Sequence, residues 1–131
     1  MSRFALDTST LGCFLREEGA VVERLLSTSP RRVAVPAIVA YEMRRGLARE
    51  QRPALSKIFE GMLRAATILE FDALAAERAW EIEQALAAAR TPLALQDVLA
   101  AATAQRHGCT LVTRLTGPYS SVPGLLVEDW Y

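Results

Sequence analysis

Three carboxylates in this sequence stand where a charge is costly. Asp7 ends the short apolar run Arg3-Phe-Ala-Leu-Asp7, and Glu42 lies between Tyr41 and Met43. Asp97 is the single acid in Leu93 to Ala104, which is otherwise apolar or small almost throughout. A buried carboxylate has to be hydrogen-bonded, paired or metal-bound. Carboxylates brought together repel, which raises the pKa of at least one unless a cation sits among them. Mg²⁺ or Mn²⁺ resolves that conflict, because hard cations prefer oxygen ligands and Mg²⁺ keeps several waters. Such an ion activates water and stabilises charge on a phosphodiester. Taken singly, each acid also has an ordinary reading. Asp7 could be a helix cap, and Glu42 could pair with Arg45 or Arg49 at a helix boundary.

The elements around them decide whether the three acids meet. Pro92 or Ala94 predicts the start of a helix that runs to His107, closed by Gly108, with Thr110 to Thr113 as a strand after it. A helix so apolar all round is buried, and the free backbone N–H groups of its first turn suit the negative charge of Asp97. Asp7 follows a strand directly, and Thr8, Ser9 or Thr10 could cap the next helix through Arg16. A strand that ends on an acid and turns into a helix puts that acid at the carboxyl edge of a sheet, where open α/β sheets bind ligands. Ile38, Glu42 and Gly46 share a helical stripe on an element opened by Pro36, which turns Glu42 inward.

The remaining segments predict packing. Val21, Val22, Leu25 and Leu26 have helical spacing, and Arg32 to Val35 reads as a strand. Helices follow over 54–65 and from the cap Asp72 to Ala89, with a strand over 67–71 between them and Trp80 expected in the core. Residues 113–119 read as loop, and 122–127 as a last strand. Strands alternating with helix pairs predict an α/β fold whose mainly parallel sheet is covered on both faces.

Composition narrows the function classes. The 131 residues carry 15 basic and 15 acidic side chains, so no overall field draws the chain to nucleic acid or membrane. Half the chain, 51%, is hydrophobic and the mean hydropathy is +0.15, which excludes general disorder. No apolar run is long enough to span a bilayer, and the N-terminus lacks a secretion signal's apolar core, so a soluble cytoplasmic protein is predicted. Cys13 and Cys109 lack metal-type spacing and are expected as buried reduced thiols. No Gly-rich run follows the first strand, one His and two scattered Cys cannot build a zinc site, and His107 is placed as a solvated helix end rather than a catalytic base.

Five stretches appear in order and at fitting intervals: Leu6-Asp-Thr-Ser9, Tyr41-Glu-Met-Arg-Arg-Gly46, Asp97 to Ala104, Gly108-Cys-Thr-Leu-Val-Thr-Arg114, and Val122-Pro-Gly-Leu125 with Glu128-Asp-Trp130. Together they resemble the PIN-domain ribonucleases, in particular the VapC-type toxins of bacterial toxin–antitoxin pairs. The resemblance implies a single PIN-like domain over 1–131, a three-layer α/β/α sandwich. It implies an Mg²⁺- or Mn²⁺-dependent endoribonuclease, held in check by a small cognate antitoxin and forming a homodimer, alone or within a larger toxin–antitoxin complex. By position, Asp7 and Asp97 match the direct metal ligands and Glu42 the third acid. Thr8 or Ser9 matches the hydroxyl beside the first Asp, and Thr113 the one after the late strand. Phosphate contacts to RNA would fall to Arg44, Arg45, Arg49 and Arg114, whose ordinary alternative is helix-surface ion pairing. The antitoxin would lay a helix or tail into an apolar groove formed by the early helices.

The chain departs from the family at one place. The loop after the late strand commonly carries a further acid, and here the corresponding residues are Leu115 and Pro118. That departure supports a rival expectation, an inactive PIN fold acting only as an antitoxin- or RNA-binding module.

Overall fold

The structure, a computed structural model, describes residues 2–131. Five short strands form one wholly parallel sheet: β1 (Phe4–Leu6), β2 (Val33–Pro36), β3 (Thr67–Leu69), β4 (Thr110–Val112) and β5 (Val127–Glu128), in the spatial order β3-β2-β1-β4-β5. The helices are α1 (Thr8–Arg16), α2 (Val21–Leu26), α3 (Ala37–Arg49), α4 (Pro53–Ala65), α5 (Ala73–Ala88), α6 (Leu95–Arg106) and the single turn α7 (Thr116–Tyr119).

Period-two alternation in the strands builds two cores, one on each face of the sheet. Leu6, Val33, Val35 and Val112 point to one face, where Leu11, Val39 and Phe59 from α1, α3 and α4 meet them. Ala5, Ala34 and Leu111 point to the other, against Ile82 and Leu86 of α5 and Val98 and Ala101 of α6. The result is the expected three-layer α/β/α sandwich. Both cysteines are buried and free.

The strand order reverses between β1 and β4, and that point fixes the site. Leu6 and Val112 are register partners at the ends of these central strands, so the chain leaves the sheet side by side at Asp7 and Thr113. The Asp7 N–H still reaches the Val112 carbonyl at 3.2 Å. The crevice beyond such a reversal is where open α/β sheets bind ligands.

Four expectations need correction. Trp80 is 60% exposed, because α5 meets the sheet and α6 through Ala75, Ile82 and Leu86 instead. The last strand is shorter and later than 122–127, since Pro123 and Gly124, the latter at φ 76°, turn the chain before it can pair. Residues 116–119 form a helical turn within the expected loop. His107 is half-buried rather than solvated, with Nε2 2.9 Å from the Glu70 carbonyl.

Candidate active site

Asp7 is the N-cap of α1, with extended backbone at φ −95° and ψ 179°. Its Oδ1 accepts from the Thr10 N–H at 3.0 Å and from Ser9 Oγ at 2.7 Å. None of the three candidate hydroxyls caps α1; the acid itself does. Thr10 Oγ1 donates to the Val112 carbonyl at 2.9 Å, stapling the start of α1 to the end of β4. Ser9 Oγ accepts from the Arg114 N–H at 3.1 Å, which ties the loop after β4 to the same cap. Asp7 is 2% exposed, and its Oδ2 is buried with no hydrogen-bond partner among the described residues. An unsatisfied buried polar atom costs about 1–3 kcal/mol, and more when it carries charge.

Asp97 lies in the first turn of α6, half-buried. Burial pushes its carboxyl above the usual aspartate range, and the charge of Asp7 adds to that. Glu42 lies half-buried on α3, as its stripe predicts. Its carboxyl is also raised, by burial first and then by the charge of Asp97, with Arg45 opposing. Asp97 is thus the middle member, repelled by Asp7 on one side and repelling Glu42 on the other. Tyr119 donates its hydroxyl to the Asp97 backbone carbonyl at 2.8 Å. Burial and the charges of Asp97 and Asp7 raise the phenol well above its ordinary value, so it stays a neutral donor.

Asp97 lies within electrostatic reach of Asp7 on one side and of Glu42 on the other. Among the described residues, however, no three Asp, Glu, His or Cys side chains stand close enough to enclose an ion as they are. A cation would have to draw the carboxylates inward. The donor set fits a hard divalent ion: the carboxylates of Asp7 and Asp97, one oxygen of which is buried and unpartnered.

The hydroxyls divide. Ser9 touches Asp7, Thr8 lines a cleft beside Glu42, and Thr113 is fully buried with Oγ1 accepting from the Leu115 N–H at 3.0 Å. Leu115 packs on the core beneath α5 and α6. The arginines divide too. Arg44 makes two bonds to Glu60 of α4, at 2.9 and 2.8 Å. Arg114 pairs with Asp129 at 3.3 Å and stacks 3.6 Å over the Tyr131 ring. Arg45 and Arg49 are exposed, and the charge of Arg45 reaches Glu42.

The PIN domain family profile matches residues 4–114. This chain belongs to the PIN-domain family. Similar proteins of known name include the tRNA(fMet)-specific endonuclease VapC of Shigella flexneri, 27% identical over 131 residues with 99% of each chain covered. The protein of the same name from Salmonella typhimurium is 25% identical over the same span. Among solved structures, the DNA-bound VapBC of Salmonella typhimurium matches with a TM-score of 0.88 at 26% identity, covering 100% of both chains. FitAcB of Neisseria gonorrhoeae matches at 0.83 and 27% identity over 96% of each chain.

Two residues of this PIN domain's site escaped sequence reasoning. Thr10 was legible only as one of three possible caps, and its hydroxyl contact to Val112 spans 102 positions of sequence. Tyr119 gave no signal at all, because its segment reads as loop and its contact to Asp97 depends on α7 folding back.

Proposed function

We propose that this PIN domain is a metal-dependent endoribonuclease, the toxin of a type II toxin–antitoxin pair. The observation that carries the reading is the Asp7 Oδ2 atom, buried and unpartnered within reach of Asp97, whose carboxyl is raised by burial first and then by the charge of Asp7. A fold gains nothing from such an arrangement unless a cation neutralises it. Asp7 and Asp97 would hold Mg²⁺ or Mn²⁺. When bound, that ion supplies a more acidic water and neutralises charge developing on the phosphodiester. Glu42, half-buried and raised, is suited to orient the attacking water and take its proton. Ser9 and the Thr10 N–H hold Oδ1 of Asp7 and leave its other oxygen for the ion. Arg45, exposed near Glu42, is the arginine best placed to meet an RNA phosphate, because Arg44 and Arg114 already have carboxylate partners.

Two partners belong to this reading. An apolar hollow of about 200 Å³ between α1, α2 and α4, with Phe14, Leu25, Leu26 and Met62 in its walls, suits a helix or tail of a small antitoxin. The naming of the relatives' structures as VapBC and FitAcB supports such a partner. The exposed Trp80 on α5 offers a face for a homodimer. A binding-only reading is favoured by one feature, the absence of an acid at Leu115 and Pro118.

Incubating a mixed RNA pool with the protein and Mn²⁺, beside an Asp7→Ala control, separates the two. Cleavage by the wild type alone supports the nuclease. RNA left intact by both, with RNA or antitoxin still bound, leaves the binding module.

A further inference from the structure

The two carboxylates proposed as metal ligands sit on helix starts that are held in different ways. The start of α1 is fixed by its own side chains. Asp7 caps it, Thr10 Oγ1 donates to the Val112 carbonyl at 2.9 Å, and Ser9 Oγ accepts from the Arg114 N–H at 3.1 Å. The start of α6 has no such device. Its N-cap is Ala94, which offers no side-chain hydrogen bond, and the chain over 92–94 is irregular. A helix end without a side-chain cap is weakly held, since its first N–H groups lack partners. Asp97 stands in that first turn.

One side chain from outside reaches it. Tyr119 is 1% exposed, in the core that holds Val98 and Ala101 of α6 and Leu111 of β4, and its hydroxyl donates to the Asp97 carbonyl at 2.8 Å. Among the described residues, no other side chain from outside α6 hydrogen-bonds its first turn. The carbonyl does not require this bond, because inside a helix its oxygen already receives the N–H of Ala101, four positions on. Packing does not call for it either. Phenylalanine would fill the same space, whereas a buried hydroxyl costs free energy unless it finds a partner. What the hydroxyl adds is a fixed distance between the Asp97 backbone and α7.

The turn of α7 is in turn fixed to the sheet. The Val122 N–H donates to the Tyr119 carbonyl at 3.0 Å, and the Leu115 N–H, at the head of α7, donates to Thr113 Oγ1 at 3.0 Å. Thr113 is fully buried just past β4, and its N–H donates to the Glu128 carbonyl at 2.9 Å. The end of β4 is therefore a common frame. Thr10 and Ser9 tie Asp7 to it, and Tyr119 ties Asp97 to it. The stretch that lacks an acid at Leu115 and Pro118 thus serves the site through the backbone of Asp97 instead.

We propose that Tyr119 is a positioning residue, whose hydroxyl holds Asp97 at the spacing from Asp7 that a divalent ion needs. The inference rests on the metal-dependent nuclease reading and deepens it. Tyr119 acts only through the Asp97 backbone, with no contact of its own to the ion or to RNA.

Tyr119→Phe keeps the ring, leaves the Asp97 carbonyl its helical partner, and should melt within a few degrees of the wild type. Ile82→Val, which thins the same core from α5, is the control for lost packing. Mn²⁺ binding to the full chain is followed through the electron paramagnetic resonance of the free ion, and amide hydrogen exchange is read by NMR without metal. We expect Tyr119→Phe to raise the Mn²⁺ dissociation constant about three- to tenfold, the range of one neutral hydrogen bond. Exchange should speed up over residues 98–101 and stay unchanged over 8–16. Ile82→Val should melt lower and bind Mn²⁺ as the wild type does. Equal Mn²⁺ affinity in folded Tyr119→Phe and wild type overturns the inference. An equal loss of affinity in Ile82→Val overturns it too, because the effect is then one of core packing. If the wild type itself takes up no Mn²⁺, the nuclease reading fails. Faster exchange confined to 98–101 then still upholds Tyr119 as the residue that fixes Asp97, and unchanged exchange there overturns it.

Discussion

The start of α1 and the start of α5 are built from the same part and put to different use. Asp7 and Asp72 each follow a strand segment, each adopts extended backbone, and each accepts from the N–H three residues on, Thr10 at 3.0 Å and Ala75 at 2.9 Å. They differ in the second oxygen. Asp72 Oδ2 receives Arg106 from α6 at 2.9 to 3.0 Å, at a site that is a third exposed. Asp7 Oδ2 receives nothing, at a site that is almost wholly buried. Capping needs one oxygen, so each acid has a second one to place; the ion pair with Arg106 accounts for that of Asp72, and no contact among the described residues accounts for that of Asp7. An arginine at α1 would have made a second structural cap; its absence is what makes the first one a candidate for chemistry.

The sharpest way to break this comparison is to neutralise both caps. Asn keeps an oxygen for the helix but cannot carry the charge. Asp7→Asn should lower Mn²⁺-dependent RNA cleavage at least ~100-fold, the scale of losing a group that stabilises developing charge, without lowering the melting temperature. Asp72→Asn should do the reverse, melting earlier through loss of the Arg106 ion pair while cleaving normally. Equal loss of cleavage in the two variants would mean that α1 and α5 matter to the reaction only through stability.

A second effect separates them without any substrate. Mn²⁺ at a hundred times its dissociation constant should stabilise the wild type by about 2.7 kcal/mol in thermal melts. Asp72→Asn should keep that shift, and Asp7→Asn or Asp97→Asn should abolish it. A shift that survives Asp7→Asn puts the ion elsewhere.

How much of this could be read from sequence follows from where each feature's cause lies. Asp7 and Asp97 were legible because a charge in an apolar run is a local anomaly, and Glu42 because its stripe is local too. The reversal of strand order that brings them to one crevice is not local, but it follows from parallel strands joined by helix pairs. Trp80 was misplaced because α5 is apolar on more than one side, and only its packing against Val98 and Ala101 of α6 chooses Ile82 and Leu86 as the inner face. The last strand was drawn too early because Val122 and Leu125 look like strand, whereas Pro123-Gly124 delays pairing until Val127 meets Leu111. The partner of Asp72's second oxygen, 34 residues away, was beyond any local signal, and so was the lack of one at Asp7.

Acid titration sharpens the contrast through opposite signs. The Ala75 N–H and Arg106 hold Asp72 below the usual aspartate range. Its contribution is therefore complete above the ordinary value and is lost as pH falls through the depressed one. Asp97 and Glu42 are raised, so the folded state binds their protons more tightly than the unfolded chain does. Ionising them at neutral pH costs stability, and the cost fades as pH drops through the raised values toward the ordinary ones, about 4. Asp97→Asn should accordingly melt a few degrees higher than the wild type at pH 7, and level with it below about pH 4. Saturating Mn²⁺ should reverse the pH 7 difference, because the ion then stabilises only the wild type. A melting curve for Asp97→Asn that lies below the wild type at neutral pH without metal would remove the repulsion from the picture.

The smallest effect tests whether Ser9 belongs to the helix start or to the site. Its Oγ donates to Asp7 Oδ1 at 2.7 Å and accepts from the Arg114 N–H at 3.1 Å, so it joins the cap of α1 to the loop after β4. Ser9→Ala removes both bonds while Asp7 still caps α1 by accepting from the Thr10 N–H, and the stability lost should be no more than about 1–2 kcal/mol. Among the described residues no hydroxyl donates to Asp72 as Ser9 does to Asp7, and Arg106 fixes its carboxylate instead. If Ser9 only supports the helix, Ser9→Ala should lower the melting temperature and leave Mn²⁺ affinity alone. If it holds the Asp7 carboxylate at the angle that presents Oδ2, metal affinity should fall several-fold, and Ser9→Thr, which keeps the hydroxyl, should restore it. The second outcome is the one expected here, because the oxygen that Ser9 orients belongs to the same carboxylate whose other oxygen, Oδ2, is left without a hydrogen-bond partner among the described residues.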